Sequence, residues 1–159
     1  MKFNFTLFIF ILTSFSFCTN EKIKNDDKKI KNNITYNTKQ LSGLWSANCN
    51  PGERSIDIKD SSLVISMETN QYYITLKELK REENKVYYKY EKMSGLGSQD
   101  YDSPAYLNNE TVCIIEFVNQ DLLKFSWLGL YDGKLKERFE TENPFNQHEK
   151  TVSLKKCID

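Results

Sequence analysis

The sequence predicts an all-β domain, one antiparallel barrel or sandwich of eight or nine strands, following a disordered polar tether. Three observations carry that expectation. Apolar residues recur with period two rather than 3.6 from Leu41 onward, in runs of five to eight residues, as half-buried strands do. Turn-forming groups such as Asn50-Pro51-Gly52, Lys59-Asp60-Ser61-Ser62, Glu68-Thr69-Asn70, Glu82-Glu83-Asn84, Asn119-Gln120-Asp121 and Asp132-Gly133 separate the runs. Aromatic residues, chiefly Tyr and Phe, make up 13% of the chain, a bias that suits pleated surfaces.

The chain opens on Lys2 and an apolar stretch from Phe3 to Phe17 that ends at Cys18. One basic residue, a short apolar core and small residues form the pattern of an export signal, assigned to 1–18. The core is shorter than the ~20 residues that span a bilayer. Residues 19–40 are almost wholly Asn, Lys, Asp, Glu and Thr, too polar to bury a core, and are expected to be a disordered tether. This arrangement resembles bacterial lipoproteins, whose mature chain begins with an acylated cysteine followed by a polar tether. The resemblance implies lipidation at Cys18 and a membrane-anchored protein facing the periplasm. Phe17 departs from the small residue usual before that cysteine. Ordinary cleavage is the alternative, because Ser14 with Ser16, or Ser16 with Cys18, supply small residues at the −3 and −1 positions, and the product is then secreted or soluble in the periplasm.

Residues 41–159 form the expected barrel domain, large enough for one core. Ile56 and Ile58 alternate with polar neighbours; Leu63, Ile65 and Met67 follow, then Tyr72, Ile74 and Leu76. Val86, Tyr88 and Tyr90, Cys113-Ile115-Phe117, Leu123-Phe125-Trp127, Leu135 with Phe139, and Val152 with Leu154 complete the set. Leu76 to Asn84 also reads as one short helix. Short links favour antiparallel neighbours, and strands with one apolar face each stack as two sheets or close into a barrel.

Cysteines 18, 49, 113 and 157 are present. With Cys18 assigned to the signal, three remain, and export offers an oxidising compartment. Cys49 ends the first strand and Cys157 lies near the chain end, so a bridge between them would fasten both ends of the domain. Cys113, inside Val112-Cys113-Ile114-Ile115, reads as a buried apolar thiol.

Gly43-Leu44-Trp45 is the G-x-W triplet that opens the first strand of lipocalins and lipocalin-like barrels, and the domain resembles them in this triplet, its position and the strand count. The resemblance implies that Trp45 plugs the closed end. A G-x-W…C…F/L-S-W-L-G…C layout, matched by Gly43, Trp45, Cys49, Phe125 to Gly129 and Cys157, is also similar to that of small bacterial envelope proteins of unassigned activity. Trp45 and Trp127 are therefore placed in the barrel core.

Catalytic and metal sets are hard to assemble. His148 is the sole histidine, in a polar turn-rich stretch without a G-x-S-x-G elbow, and the cysteines lack C-x-x-C spacing. Glu116, flanked by Ile115 and Phe117, is expected on the outer face, because a buried unpaired carboxylate is costly. No enzyme, cofactor or metal is expected. The balance of 22 basic and 22 acidic residues gives no electrostatic reason to expect nucleic acid.

The connection 92–110 is long for a compact domain. It joins Ser94-Gly95 to Tyr101 and Tyr106, a mix of adaptable and rigid contact residues suited to recognition. Ser94, Gly95 and Tyr101 also resemble, loosely, periplasmic lysozyme inhibitors that insert a loop into an enzyme cleft. Three functions remain open: a non-catalytic envelope protein binding a small apolar ligand or an envelope component; an inhibitor or immunity protein acting through 92–110 against a cell-wall hydrolase or toxin; and an accessory subunit of an envelope assembly.

Overall fold

The structure, a computed structural model, describes residues 38–67, 72–95 and 104–158. One helical turn, α1 (Thr38–Leu41), precedes ten strands: β1 (Gly43–Ser46), β2 (Ser55–Lys59), β3 (Ser62–Met67), β4 (Tyr72–Glu82), β5 (Lys85–Gly95), β6 (Thr111–Asn119), β7 (Leu122–Trp127), β8 (Leu130–Asp132), β9 (Glu137–Phe139) and β10 (Thr151–Lys156). Eight of them close an antiparallel barrel in the order β1-β10-β7-β6-β5-β4-β3-β2, while β8 and β9 pair with each other as a separate hairpin.

Alternation decides which side chains fill the barrel. Ile56 and Ile58 of β2, Leu63 and Ile65 of β3, Val86, Tyr88 and Tyr90 of β5, and Leu123, Phe125 and Trp127 of β7 all point inward and are buried. Trp45, Ile56, Leu63, Ile65, Leu76, Tyr88, Cys113, Ile115, Leu123, Phe125 and Leu154 have no exposed surface at all. An interior chamber would expose the side chains lining it, so a ligand at the centre would require these residues to move apart.

The expected Trp plug has a specific construction. Trp45 donates its Nε1–H to the Leu41 carbonyl at 3.1 Å and meets Phe117 edge to face at 6.2 Å. The Lys156 ammonium lies 5.5 Å above the indole and donates to the Gln40 carbonyl at 3.2 Å. Gly43 explains the first letter of the triplet: its φ of +123° and the Lys156 stem beside it both disfavour a Cβ.

Three sequence expectations change. Leu76 to Asn84 is no helix: β4 runs through to Glu82, with register shifts at Thr75/Leu76 and Glu78/Lys80. The bulges break the period of two and leave Glu78 opposite Tyr88 and Arg81 opposite Val86, on the inward face. There the carboxylate accepts two hydrogen bonds from Arg81, at 2.7 and 3.3 Å, with both side chains about one-fifth exposed. The structureless connection also shortens. Ser94 and Gly95 belong to β5, opposite Tyr73 and Tyr72, and Pro104–Tyr106 form a 3-10 turn. Leu135, expected in a strand, sits exposed in the β8–β9 turn.

Cys49 and Cys157 form a disulfide, with Cα atoms 5.5 Å apart. Cys113 is a free, buried thiol, and burial pushes its pKa well up. Glu116 faces outward, 3.6 Å from Lys85.

Candidate functional site

The two ends of the barrel differ in their connections. At one end β2–β3, β4–β5 and β6–β7 are joined by two-residue turns. At the other, longer stretches of chain follow β1, β3, β5 and β7, and that after β7 carries the β8–β9 hairpin and residues 140–150.

Residues 140–150 fold back over this second end, held by three side-chain hydrogen bonds from two Asn residues. The Asn143 side chain is 5% exposed; its Oδ1 accepts from the Phe145 amide at 2.9 Å and its Nδ2 donates to the Lys150 carbonyl at 3.2 Å. The Asn146 Oδ1 accepts from the His148 amide at 3.1 Å. Such bends are what Asn contributes in turn-rich segments. They lower Phe145 onto Phe125, with ring centroids 5.0 Å apart, while Phe125 stacks against Trp127 at 6.2 Å. Arg54, from the β1–β2 connection, donates to the Pro144 carbonyl at 2.6 Å and ties the plug to the neighbouring β1–β2 rim.

A cleft of about 410 Å³ remains beside this plug, lined among others by Trp127, Arg138, Glu140, Glu142, His148 and Lys150. The Trp127 indole forms its apolar base and donates from Nε1 to the Thr141 hydroxyl at 2.8 Å. Arg138 forms the back wall. One of its nitrogens donates to the Thr111 and Gly129 carbonyls at 2.8 and 3.0 Å, and another lies 3.8 Å from Glu110. Lys150 and Glu140 stand 3.6 Å apart and almost fully exposed, an ion pair that adds little to stability and is free to exchange partners. A second hollow of about 230 Å³ lies across the plug, lined by Arg54, Met67, Tyr72, Glu142, Asn143, Pro144 and Gln147. Acidic and basic groups are mixed around both, with aromatic surface at the base.

The residues singled out in the sequence do not all meet here. Trp127 does, at 4% exposure, and Trp45 lies in the core. Tyr106 packs against Tyr90 at 5.9 Å and Phe139 at 6.5 Å. Ser94 and Gly95 end the β4–β5 hairpin. Cys18 and Tyr101 lie outside the described residues. His148, read in the sequence as a solvated loop residue, is exposed and lines the cleft. Arg54, Arg138 and Phe145 were not singled out, although Pro144-Phe145 between two Asn residues is a turn signal with an apolar anchor. Among the described residues, no three His, Cys, Asp or Glu side chains are grouped as a metal site.

Compared with known protein families, curated proteins and solved structures, the chain matches none.

Proposed function

We propose that this protein is a non-catalytic binding module of the bacterial cell envelope, held at the membrane through Cys18, whose recognition surface is the loop-bearing end of the barrel. The observation that supports this reading most is the asymmetry of the connections: tight turns at one end, and at the other a plugged mouth with a polar cleft over an aromatic base. The filled interior favours an envelope component at the rim over a small apolar ligand in the centre. The inhibitor reading uses the same end, since the β5–β6 connection leaves from it.

Intact-mass measurement of the mature protein tests the anchor: a diacyl adduct on Cys18 is expected, and an unmodified N-terminus beyond it overturns the anchored form. For the surface, the chain starting at Thr19 is added to isolated envelopes and pelleted. Saturable pelleting is expected, lost when His148, Glu149 and Lys150 are all changed to Ala and kept in Gln120→Ala at the other end. Equal pelleting of the two variants would rule the mouth out.

A further inference from the structure

The outer wall of the barrel carries a second feature, away from the mouth. Lys77 of β4 and Lys89 of β5 are direct cross-strand partners. Their neighbours Leu76 and Tyr90 point inward, so both ammonium groups stand on the outside. Like charges in this register destabilise a sheet. Four other lysines of the described surface are offset by a carboxylate: Lys59 by Asp57 at 2.8 Å, Lys80 by Glu82 at 2.9 Å, Lys85 by Glu116 at 3.6 Å and Lys150 by Glu140 at 3.6 Å. Among the described residues no carboxylate stands within ion-pair distance of Lys77 or Lys89.

The two lysines line a hollow of about 330 Å³ between the β4–β5 wall and the turn 107–109, together with Tyr90, Glu91, Leu107, Asn108 and Asn109. The turn is held in place from behind: Asn108 donates from Nδ2 to the Tyr131 carbonyl at 2.9 Å and to the Ala105 carbonyl at 3.3 Å, and its Oδ1 accepts from the Glu110 amide at 2.9 Å. Lys89 donates to Oδ1 of Asn109 at 2.7 Å. That bond fixes the ammonium at the hollow and leaves the Asn109 amide NH₂ as a further donor. Glu91 is the one acidic lining residue and sits beyond ion-pair distance of both lysines. Leu107, 56% exposed, provides an apolar shoulder.

We propose that this hollow is an anion site that takes a single phosphoryl or carboxylate group, with Lys77, Lys89 and Asn109 as donors and Leu107 against the adjoining apolar part of the ligand. Two lysines and an amide lining one hollow can supply charge-assisted hydrogen bonds that a neutral ligand does not exploit. A bound anion would also relieve the Lys77–Lys89 repulsion. The proposal is independent of the mouth, and loss of either leaves the other standing.

The mature protein is titrated at constant ionic strength with sodium phosphate, glycerol 3-phosphate, acetate or chloride, and followed by thermal unfolding and by calorimetry. A saturable rise in the unfolding midpoint is expected with phosphate or acetate and not with chloride. The stronger of the two identifies the group as phosphoryl or carboxylate. Lys77→Gln and Lys89→Gln should each weaken binding by about tenfold, the scale of one charge-assisted bond. Glu91→Gln should tighten it, and Lys59→Gln, whose lysine is paired to Asp57, should leave it unchanged. Without anion, Lys77→Gln should be at least as stable as the wild type, which separates lost binding from lost folding. Absence of saturation in the wild type, or saturation unaltered in both lysine variants, overturns the site.

Discussion

Tyr88 has no exposed surface, and its hydroxyl finds no hydrogen-bond partner among the described residues. Its neighbours across the sheet are Cys113 and Glu78, and Glu78 already gives both carboxylate oxygens to Arg81. A buried hydroxyl without a partner costs about 1–3 kcal/mol. Tyr88→Phe keeps the shape and removes the orphan group, so urea unfolding should show it equal to or about 1 kcal/mol more stable than the wild type. A pH series sharpens the test. Burial pushes the Tyr88 pKa up from its ordinary value of 10.0, so the folded protein keeps the proton while the unfolded chain releases it. Stability from this group is therefore intact below about pH 10 and falls as pH rises beyond it, toward the folded-state pKa, by up to about 1.4 kcal/mol per pH unit. The margin of Tyr88→Phe over the wild type should widen above pH 10; a constant margin would show that the hydroxyl is solvated.

The β8–β9 hairpin stands outside the barrel, fastened by Arg138 alongside the Asn108–Tyr131 bond and the Tyr106–Phe139 contact. Arg138 reaches from β9 to the Thr111 carbonyl on β6 and the Gly129 carbonyl before β8, and its guanidinium lies 5.6 Å from the centre of the Tyr131 ring. Gly129 lies against the Phe139 backbone with a φ of +88°, so a side chain there would meet strain and a clash. Arg138→Ala should cost about 2 kcal/mol, and Arg138→Lys should not restore it, since an ammonium lacks the planar fork of donors. Hydrogen exchange should accelerate in 130–139 and hardly at all in β2 and β3; uniform acceleration would contradict a hairpin fastened locally. Strand β4 shows why such details escape a reading of sequence. The pairs around Ile56, Ile65 and Val86 were legible because alternation put apolar groups on one face only. In β4 the bulges and the inward Glu78–Arg81 pair erase alternation, and Leu76-Lys77-Glu78-Leu79-Lys80 then mimics a helical period. The mouth was illegible for a related reason. Its plug depends on one aromatic, Phe145, lowered by Asn side-chain bonds that no periodicity announces.

At the scale of the whole molecule, an up-and-down barrel removes its sheet edges by joining its first and last strands. That seam is the shortest in the structure. Two residue pairs, Trp45 with Lys156 and Ser46 with Lys155, connect β1 to β10, whereas five connect β10 to β7. Beyond the seam Cys157 donates its amide to the Leu44 carbonyl at 2.8 Å, and the chain after Ser46 returns to it through Cys49, whose φ of 58° is a left-handed turn. The disulfide thus fastens the place where the fewest backbone bonds do, across a sequence separation of 108. Cross-linking a loop of that length restricts the unfolded chain by about 4–5 kcal/mol in the entropic limit. Cys49→Ser with Cys157→Ser should therefore lower stability by roughly 4 kcal/mol and the unfolding midpoint by roughly 15 °C. Treatment with reductant should reproduce the loss, and Cys113, buried and far from the seam in the register, should stay unmodified until unfolding. In hydrogen exchange of the double variant, amides of β1 and β10 should open before those of β5 and β6. A double variant that unfolds at the wild-type midpoint, with β1 and β10 protected as before, would mean that the plug of Trp45, Leu41 and Lys156 closes the barrel without the bridge.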